Sequence, residues 1–458
     1  MEKLLKVTCM KDHEQVDSKL RAPTVDASGR RRWIYPERRT GRLIRIRKHI
    51  ALFLMALYLI TPFSTFQGRP LLRLDVFESK VYAFGQVFPF HDASYLVFVF
   101  IGLALSLFLV TALWGRLWCG YACPQTVFVE WLIRPIEEFF EGPASRRQVR
   151  DKGPWTMDKA LRKTGKHLVY LLAVGTIANA FLGYFVDYKT VFSWMMSPPW
   201  EQPWAFAIMM FVASALFFDL VWFREQFCSF LCPYARFQAV MIDSQTPTIS
   251  YDVKRGEPRT RKKGGGDCID CGLCMRVCPT GIDIRNGLQM ECIQCGRCAD
   301  ACDEIQTNLK RPKGLIRTAS EAEIEQNSIQ KLRIRPILYA CALLLTFSVI
   351  GFRLQQRQGL QYTIIRQAST TYSEMPENHW GNFFTLRINN RDMKDIPISI
   401  ASSDSVELIC GICGESVPGF AEKQGLLVVR VPKTYPKDTV DLKLGNGETR
   451  TLPLILPK

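Results

Sequence analysis

The chain has 458 residues, 48% of them hydrophobic, with a mean hydropathy of +0.01 and a formal charge of +16. That length allows two or three domains, and a hydropathy near zero means that long apolar stretches alternate with strongly polar ones. The charge could suggest nucleic acid, but its distribution argues against that partner: residues 353–458 hold 13 Lys and Arg against 11 Asp and Glu, so +14 lies on residues 1–352, in alternate loops.

Residues 1–49 form a basic segment with 14 Lys and Arg. They lack an apolar core, so no cleavable signal peptide is expected, and RRRWIYPERRTGRLIRIRK (30–48) reads as an anchor beside anionic lipid. Five apolar runs follow that are long enough to cross a bilayer, at 50–66, 94–114, 166–186, 203–223 and 336–352. Lys and Arg number 10 in residues 115–166 and 18 in 224–335, against 3 in 67–93 and 1 in 187–203. Basic loops stay on the cytoplasmic side, which places the N-terminus inside and the C-terminus outside.

The four-span stretch 50–242 carries one internal repeat. RLWCGYACPQ (116–125) and EQFCSFLCPY (225–234) each place two cysteines four apart with a proline directly after, at the inner end of a span. Residues four apart on a helix share a face, with Cβ atoms about 5–6 Å apart. Cys119 with Cys123, and Cys228 with Cys232, could then offer two sulfurs to one ion or form a reversible disulfide. Pro124 and Pro233 would kink or end the helix and bend the pairs toward each other. Four thiolates meeting there would suit Cu(I), zinc or an iron–sulfur centre. Simple buried packing is the plain alternative for one pair, but matched pairs with matched prolines weigh against it.

A basic, Gly-rich linker is expected at 243–266, with KRGEPRTRKKGGG (254–266) as a mobile tether. A module at 267–320 follows. It holds Cys268, Cys271, Cys274 and Cys278, then Cys292, Cys295, Cys298 and Cys302, which is the bacterial ferredoxin spacing C-x2-C-x2-C-x3-C written twice. In that pattern the fourth cysteine serves the other cluster. One 4Fe–4S cluster takes Cys268, Cys271, Cys274 and Cys302, and the other takes Cys292, Cys295, Cys298 and Cys278. Zinc fits two triplets plus singles poorly, and a disulfide scaffold does not suit a cytoplasmic segment.

After the fifth span, residues 353–458 are rich in short β-branched runs (QYTIIRQ, NFFTLRI, VELIC, LLVVRVP, TVDLKL), with a hairpin signal at NGE. They suit an external β-sandwich, immunoglobulin-like in type. Cys410 and Cys413 form a C-x2-C there, for which a disulfide or an idle pair is the default and a copper site the alternative. His49 and His167 at inner span ends could pair on a haem, and Met195, Met196, Met209 and Met210 could be soft ligands. Interface histidines and packing methionines are commoner. Asp219, an acid within a span, is a functional candidate by position. Cys9 and Cys341 are isolated.

The motifs above, with LLRLDVFESKVYAFG (71–85), IEEFFEG (136–142), FCSFLCPYARFQAVMID (227–243), PKGLIR (312–317) and NFFTLRINN (382–390), resemble the FixG/RdxA/CcoG proteins over nearly the whole chain. The resemblance implies a cytochrome c oxidase accessory protein of the bacterial inner membrane, with a periplasmic C-terminal domain. It implies reduction of Cu(II) to Cu(I) for a cbb-type haem–copper oxidase, a cupric reductase working with oxidase subunits and copper-delivery proteins. Cys119, Cys123, Cys228 and Cys232 would reduce the copper, with electrons from an unidentified donor through the eight ferredoxin cysteines. Cys410 and Cys413 are not part of the shared pattern. The rival expectations are a quinol-linked relay to a periplasmic reductase and a redox-sensing assembly scaffold.

Overall fold

A computed structural model describes residues 24–25, 28–66, 68–77, 80–89, 93–260, 265–326, 333–355, 359–367, 371–390, 394–402, 406–419 and 421–456. Cys9 lies outside them. The chain divides into two compact units, Met1–Phe347 and Ser348–Lys458.

Among the described residues, four helices are long and apolar enough to cross a membrane: Leu96–Trp114, Met157–Leu182, Pro203–Phe223 and Ile334–Arg353. Thr156 caps the second of these by accepting from the Lys159 amide, and Pro203 starts the third, where its missing N–H costs nothing. Large apolar side chains such as Phe100, Leu172, Phe211 and Leu345 stay exposed on them, which only an apolar surrounding would accept. The span expected at 50–66 differs. Its helix, Arg42–Ile60, begins with Arg42, Arg45, Arg47 and Lys48 and gives way at Thr61–Phe63 to a 3-10 turn. Its apolar half runs from Ile50 to Ile60, a shorter helical stretch than the 50–66 expected.

Tyr170, Val174 and Ile177 of the Met157–Leu182 helix pack on Phe128, Val129 and Ile133 and on Leu220 and Val221. This core joins the segment that follows the first C-x3-C-P stretch to the one that precedes the second. The linker expected at 243–266 is largely absent as such. Thr248–Tyr251 is a strand paired antiparallel with Ile316–Ala319, and Ile249 and Tyr251 are buried in the ferredoxin-like module. Arg255 then donates to Asp267 (2.9 Å) and to the Pro312 carbonyl (2.9 Å). The packing side chains lie just before the Gly-rich run whose composition suggested a tether; residues 261–264 lie outside the described set.

In the second unit the five β-branched runs are strands, as expected. Glu407–Cys410, Glu422–Pro432, His379–Asn390 and Leu360–Arg366 form a sheet in that order, with Tyr372–Met375 also paired to His379–Asn390. Ile400–Ser402, Thr439–Leu444 and Thr449–Pro453 form a second sheet. Phe384, Leu386 and Ile388 of the first meet Val440, Leu442 and Leu452 of the second in one core. Leu442 is fully buried there. Leu442→Ala is expected to destabilise this unit by about 2–5 kcal/mol, visible as faster amide hydrogen exchange across both sheets. Exchange unchanged from wild type would contradict that core.

Candidate iron–sulfur and thiol site

The two ferredoxin-like motifs fold alike. In Cys268–Cys271 and Cys292–Cys295 the residue before the second cysteine is left-handed (Asp270 φ 50°, Gln294 φ 52°), and so is the glycine after it (Gly272 φ 66°, Gly296 φ 73°). This reversal turns the sulfurs of each motif inward before the helices Leu273–Arg276 and Arg297–Asn308 begin. Two cavities result. One is lined by Cys268, Cys271, Cys274 and Cys302 with Tyr251, Leu315 and Ile316. The other is lined by Cys274, Cys278, Cys292, Cys295 and Cys298, with Ile249, Ile282 and Ile284 around them. Cys302 thus lines the cavity of the first motif and Cys278 that of the second, while Cys274 borders both.

Among the described residues no three His, Cys, Asp or Glu side chains stand close enough to hold a single metal ion. Eight cysteines in the C-x2-C-x2-C-x3-C spacing, lining two cavities, suit polynuclear clusters. Burial pushes the Cys274 thiol up to about 11 and those of Cys292 and Cys302 up to about 12, so metal binding has to displace their protons. When bound, 4Fe–4S clusters supply one-electron redox chemistry, tuned by the burial and hydrogen bonding that this lining provides.

The membrane-edge cysteines are arranged differently from the expectation that each pair shares one helix face. Cys119 sits on the short helix Leu117–Tyr121, but Cys123 is an extended N-cap (ψ 125°) from which Pro124–Phe128 starts anew. Cys228 lies in a widened π-helical turn, Phe227–Leu231, and Cys232 (ψ 110°) caps Pro233–Met241. The cause is local: a residue before proline is driven out of the helical region, and proline favours the first helical position. The four thiols lie within electrostatic reach of one another, though no three of them stand close enough here to hold one ion. Burial raises Cys119 to about 12, with the charges of Cys123 and Cys232 adding to it, and Cys228 is raised by burial and then by Cys123, Cys119 and Cys232.

Several residues around them were not singled out by sequence. Gln238, fully buried, accepts from the Cys119 thiol (3.2 Å) and donates to Thr111 (3.3 Å), whose hydroxyl meets that of Tyr234 (2.8 Å). Gln238→Leu removes that partner from the Cys119 thiol. Arg116 donates from its amide to Gln294 (2.9 Å) and from its guanidinium to the carbonyls of Met290 and Ala235. It thereby bridges the ferredoxin-like module and the helix after the second C-x3-C-P. Asp219 accepts from Gln125 (3.1 Å), the residue following Pro124, so the acid within the span supports the first cysteine pair.

A buried ion network underlies this region. Glu130 pairs with Arg134 and Arg297, while Glu137 pairs with Arg224 (2.6 Å) and Arg147. Arg224 holds a left-handed backbone (φ 48°) just ahead of Cys228, and Arg297 is adjacent to Cys298. Glu130, Arg134, Glu137 and Glu141 recur every three or four residues, a pattern visible in sequence whose partners are not. The remaining candidates are less engaged. His49 and His167 are exposed, as are Met195, Met196, Met210 and Cys341. Cys410 and Cys413 are joined in a disulfide, the default expectation, and that form offers no thiolate to copper.

Membrane helices, two crossed cysteine sets and an apolar lining define a membrane iron–sulfur protein of the electron-transfer type. The 4Fe-4S dicluster domain family matches residues 223–265 and 258–321, and the 4Fe-4S binding domain family matches residues 96–143. The matches therefore take in both C-x3-C-P stretches as well as the eight-cysteine module. Protein RdxA of Cereibacter sphaeroides is 32% identical over 425 residues, 88% of this chain and 89% of its own length. Protein RdxB of the same organism is 30% identical over 403 residues, 82% of this chain and 83% of its own. Nitrogen fixation protein FixG of Rhizobium meliloti is 35% identical over 331 residues, which is 69% of this chain but 62% of FixG. The chain belongs to the FixG/RdxA family. No solved structure matches it.

Proposed function

We propose that this protein carries electrons from its ferredoxin-like module to the membrane-edge thiols and there reduces Cu(II) to Cu(I), for assembly of a cbb-type haem–copper oxidase. The supporting observation is convergence. Two cysteine pairs about a hundred residues apart in sequence come within electrostatic reach of one another, and Arg116, three residues before Cys119, is bonded to the loop that holds Cys292 and Cys295. Soft thiolates favour Cu(I), so a thiol site beside one-electron carriers suits cupric reduction, with copper as substrate. Its partners would be copper-delivery proteins and oxidase subunits. By the distribution of basic loops, the module lies in the cytoplasm of a bacterial cell and the β-sandwich, immunoglobulin-like in type, outside the inner membrane.

The test is anaerobic Cu(I) titration against a competing chelator, with wild type and with Cys119, Cys123, Cys228 and Cys232 all changed to Ser. Tight binding by the wild type alone is expected. Equal binding by both would favour a quinol-linked relay or a sensing scaffold instead.

A further inference from the structure

The two ferredoxin-like motifs share a spacing and a backbone path but not their surroundings. Every residue from Cys292 to Arg297 is buried. The matching run is open from Cys268 to Gly272, with only Leu273 buried: the Asp270 side chain is 58% exposed, and Cys271 and Gly272 are half-buried.

The membrane-edge segment contributes directly to that difference. A Cβ at Gly120, between Cys119 and Cys123, would lie 2.5 Å from the Ile293 carbonyl oxygen and 3.1 Å from that of Gln294. Backbone therefore meets backbone there with no side chain between. Gly115 is as close to the Gln294 amide, at 2.5 Å. Gln294 and Met290 also accept from Arg116, and Arg134 donates to the carbonyl of Pro279 (3.0 Å), directly after Cys278. These contacts flank the cysteines of one cavity.

We infer that the set Cys278, Cys292, Cys295 and Cys298 serves the exit side, passing electrons to the membrane-edge thiols across the Gly120–Ile293 contact, and that the open face at Cys268–Cys271 receives them from a soluble one-electron carrier protein. The identity of the acceptor rests on the copper reading; the order of the two ligand sets does not. Each turnover oxidises one carrier by one electron and reduces one Cu(II) to Cu(I), with no bond made or broken within the chain.

Two experiments on the cluster-loaded, membrane-embedded protein test the order. In the first, reduced protein is mixed with Cu(II), and cluster reoxidation is followed by freeze-quench EPR. Gly120→Val must push the two backbones apart, and a displacement of that kind is expected to slow reoxidation about tenfold or more while both cluster signals keep their intensity. If this variant loses its clusters, Gln294→Ala, which removes the bond to Arg116 and keeps every sulfur, carries the same expectation. Unchanged rates with intact clusters overturn the route. If the wild type itself is not reoxidised, the copper reading fails, and the order is judged by the second experiment.

There, a membrane-impermeant dysprosium chelate is added to reduced Cys295→Ala and Cys271→Ala proteins, each of which retains one cluster. The cluster left in Cys295→Ala, on the open side, is expected to relax severalfold faster than the one left in Cys271→Ala. Equal or reversed relaxation overturns the assignment.

Discussion

Cys278→Ala is expected to remove the cluster of the second motif rather than that of its own, and Cys302→Ala the cluster of the first. Cys278 lines the cavity of Cys292, Cys295 and Cys298, and Cys302 lines that of Cys268, Cys271 and Cys274. Either substitution should halve the iron content and the spin count of the reduced protein, since each cluster takes four thiolates. Pairing the substitutions separates crossed from uncrossed ligation. Cys278→Ala with Cys295→Ala should lose no more than either alone, whereas Cys278→Ala with Cys271→Ala should lose everything. The opposite pattern would mean that each motif closes on its own fourth cysteine.

The second large effect is at Glu137. Burial by itself would raise its carboxyl, but Arg224 and then Arg147 outweigh that and hold it at about 2 instead of the ordinary 4.5. Glu137→Ala leaves both guanidinium groups buried without this partner, and breaking a buried pair in this way costs about 3–5 kcal/mol. Because the folded-state pKa is the lower one, the stabilisation is complete above pH 4.5 and is lost as the pH falls toward about 2. Thermal unfolding of the purified protein should show a wide gap between wild type and variant at neutral pH that narrows through that window. A gap that stays constant down to pH 2 would mean that the Glu137 charge does not contribute.

The eight ferredoxin cysteines were legible in the sequence because a cluster fixes the spacing of its ligands, and the strands of the second unit because β-branched residues recur between turn signals. Local signals misled where a distant partner or a proline decides. Thr248–Tyr251 is a strand because Ile316–Ala319, far along the chain, pairs with it, and no local pattern reports that. The apolar run expected over 50–66 is helical only as far as Ile60, because Pro62 follows in a 3-10 turn. The helical i, i+4 rule brought Cys119 and Cys123 together on paper, but Pro124 takes Cys123 out of the helix. Gln238 was invisible for another reason: one glutamine has meaning only once tertiary packing sets it against Cys119.

Copper reduction at the membrane-edge thiols is tested most directly by anaerobic single turnover. The protein is reduced with dithionite, freed of excess reductant and mixed with Cu(II), while EPR follows the clusters and a chelating dye follows Cu(I). Fast, nearly stoichiometric Cu(I) from the wild type is expected, with little from the variant carrying serine at 119, 123, 228 and 232. Equal rates from both would show that the clusters reduce copper without those thiols, contradicting the function proposed for them.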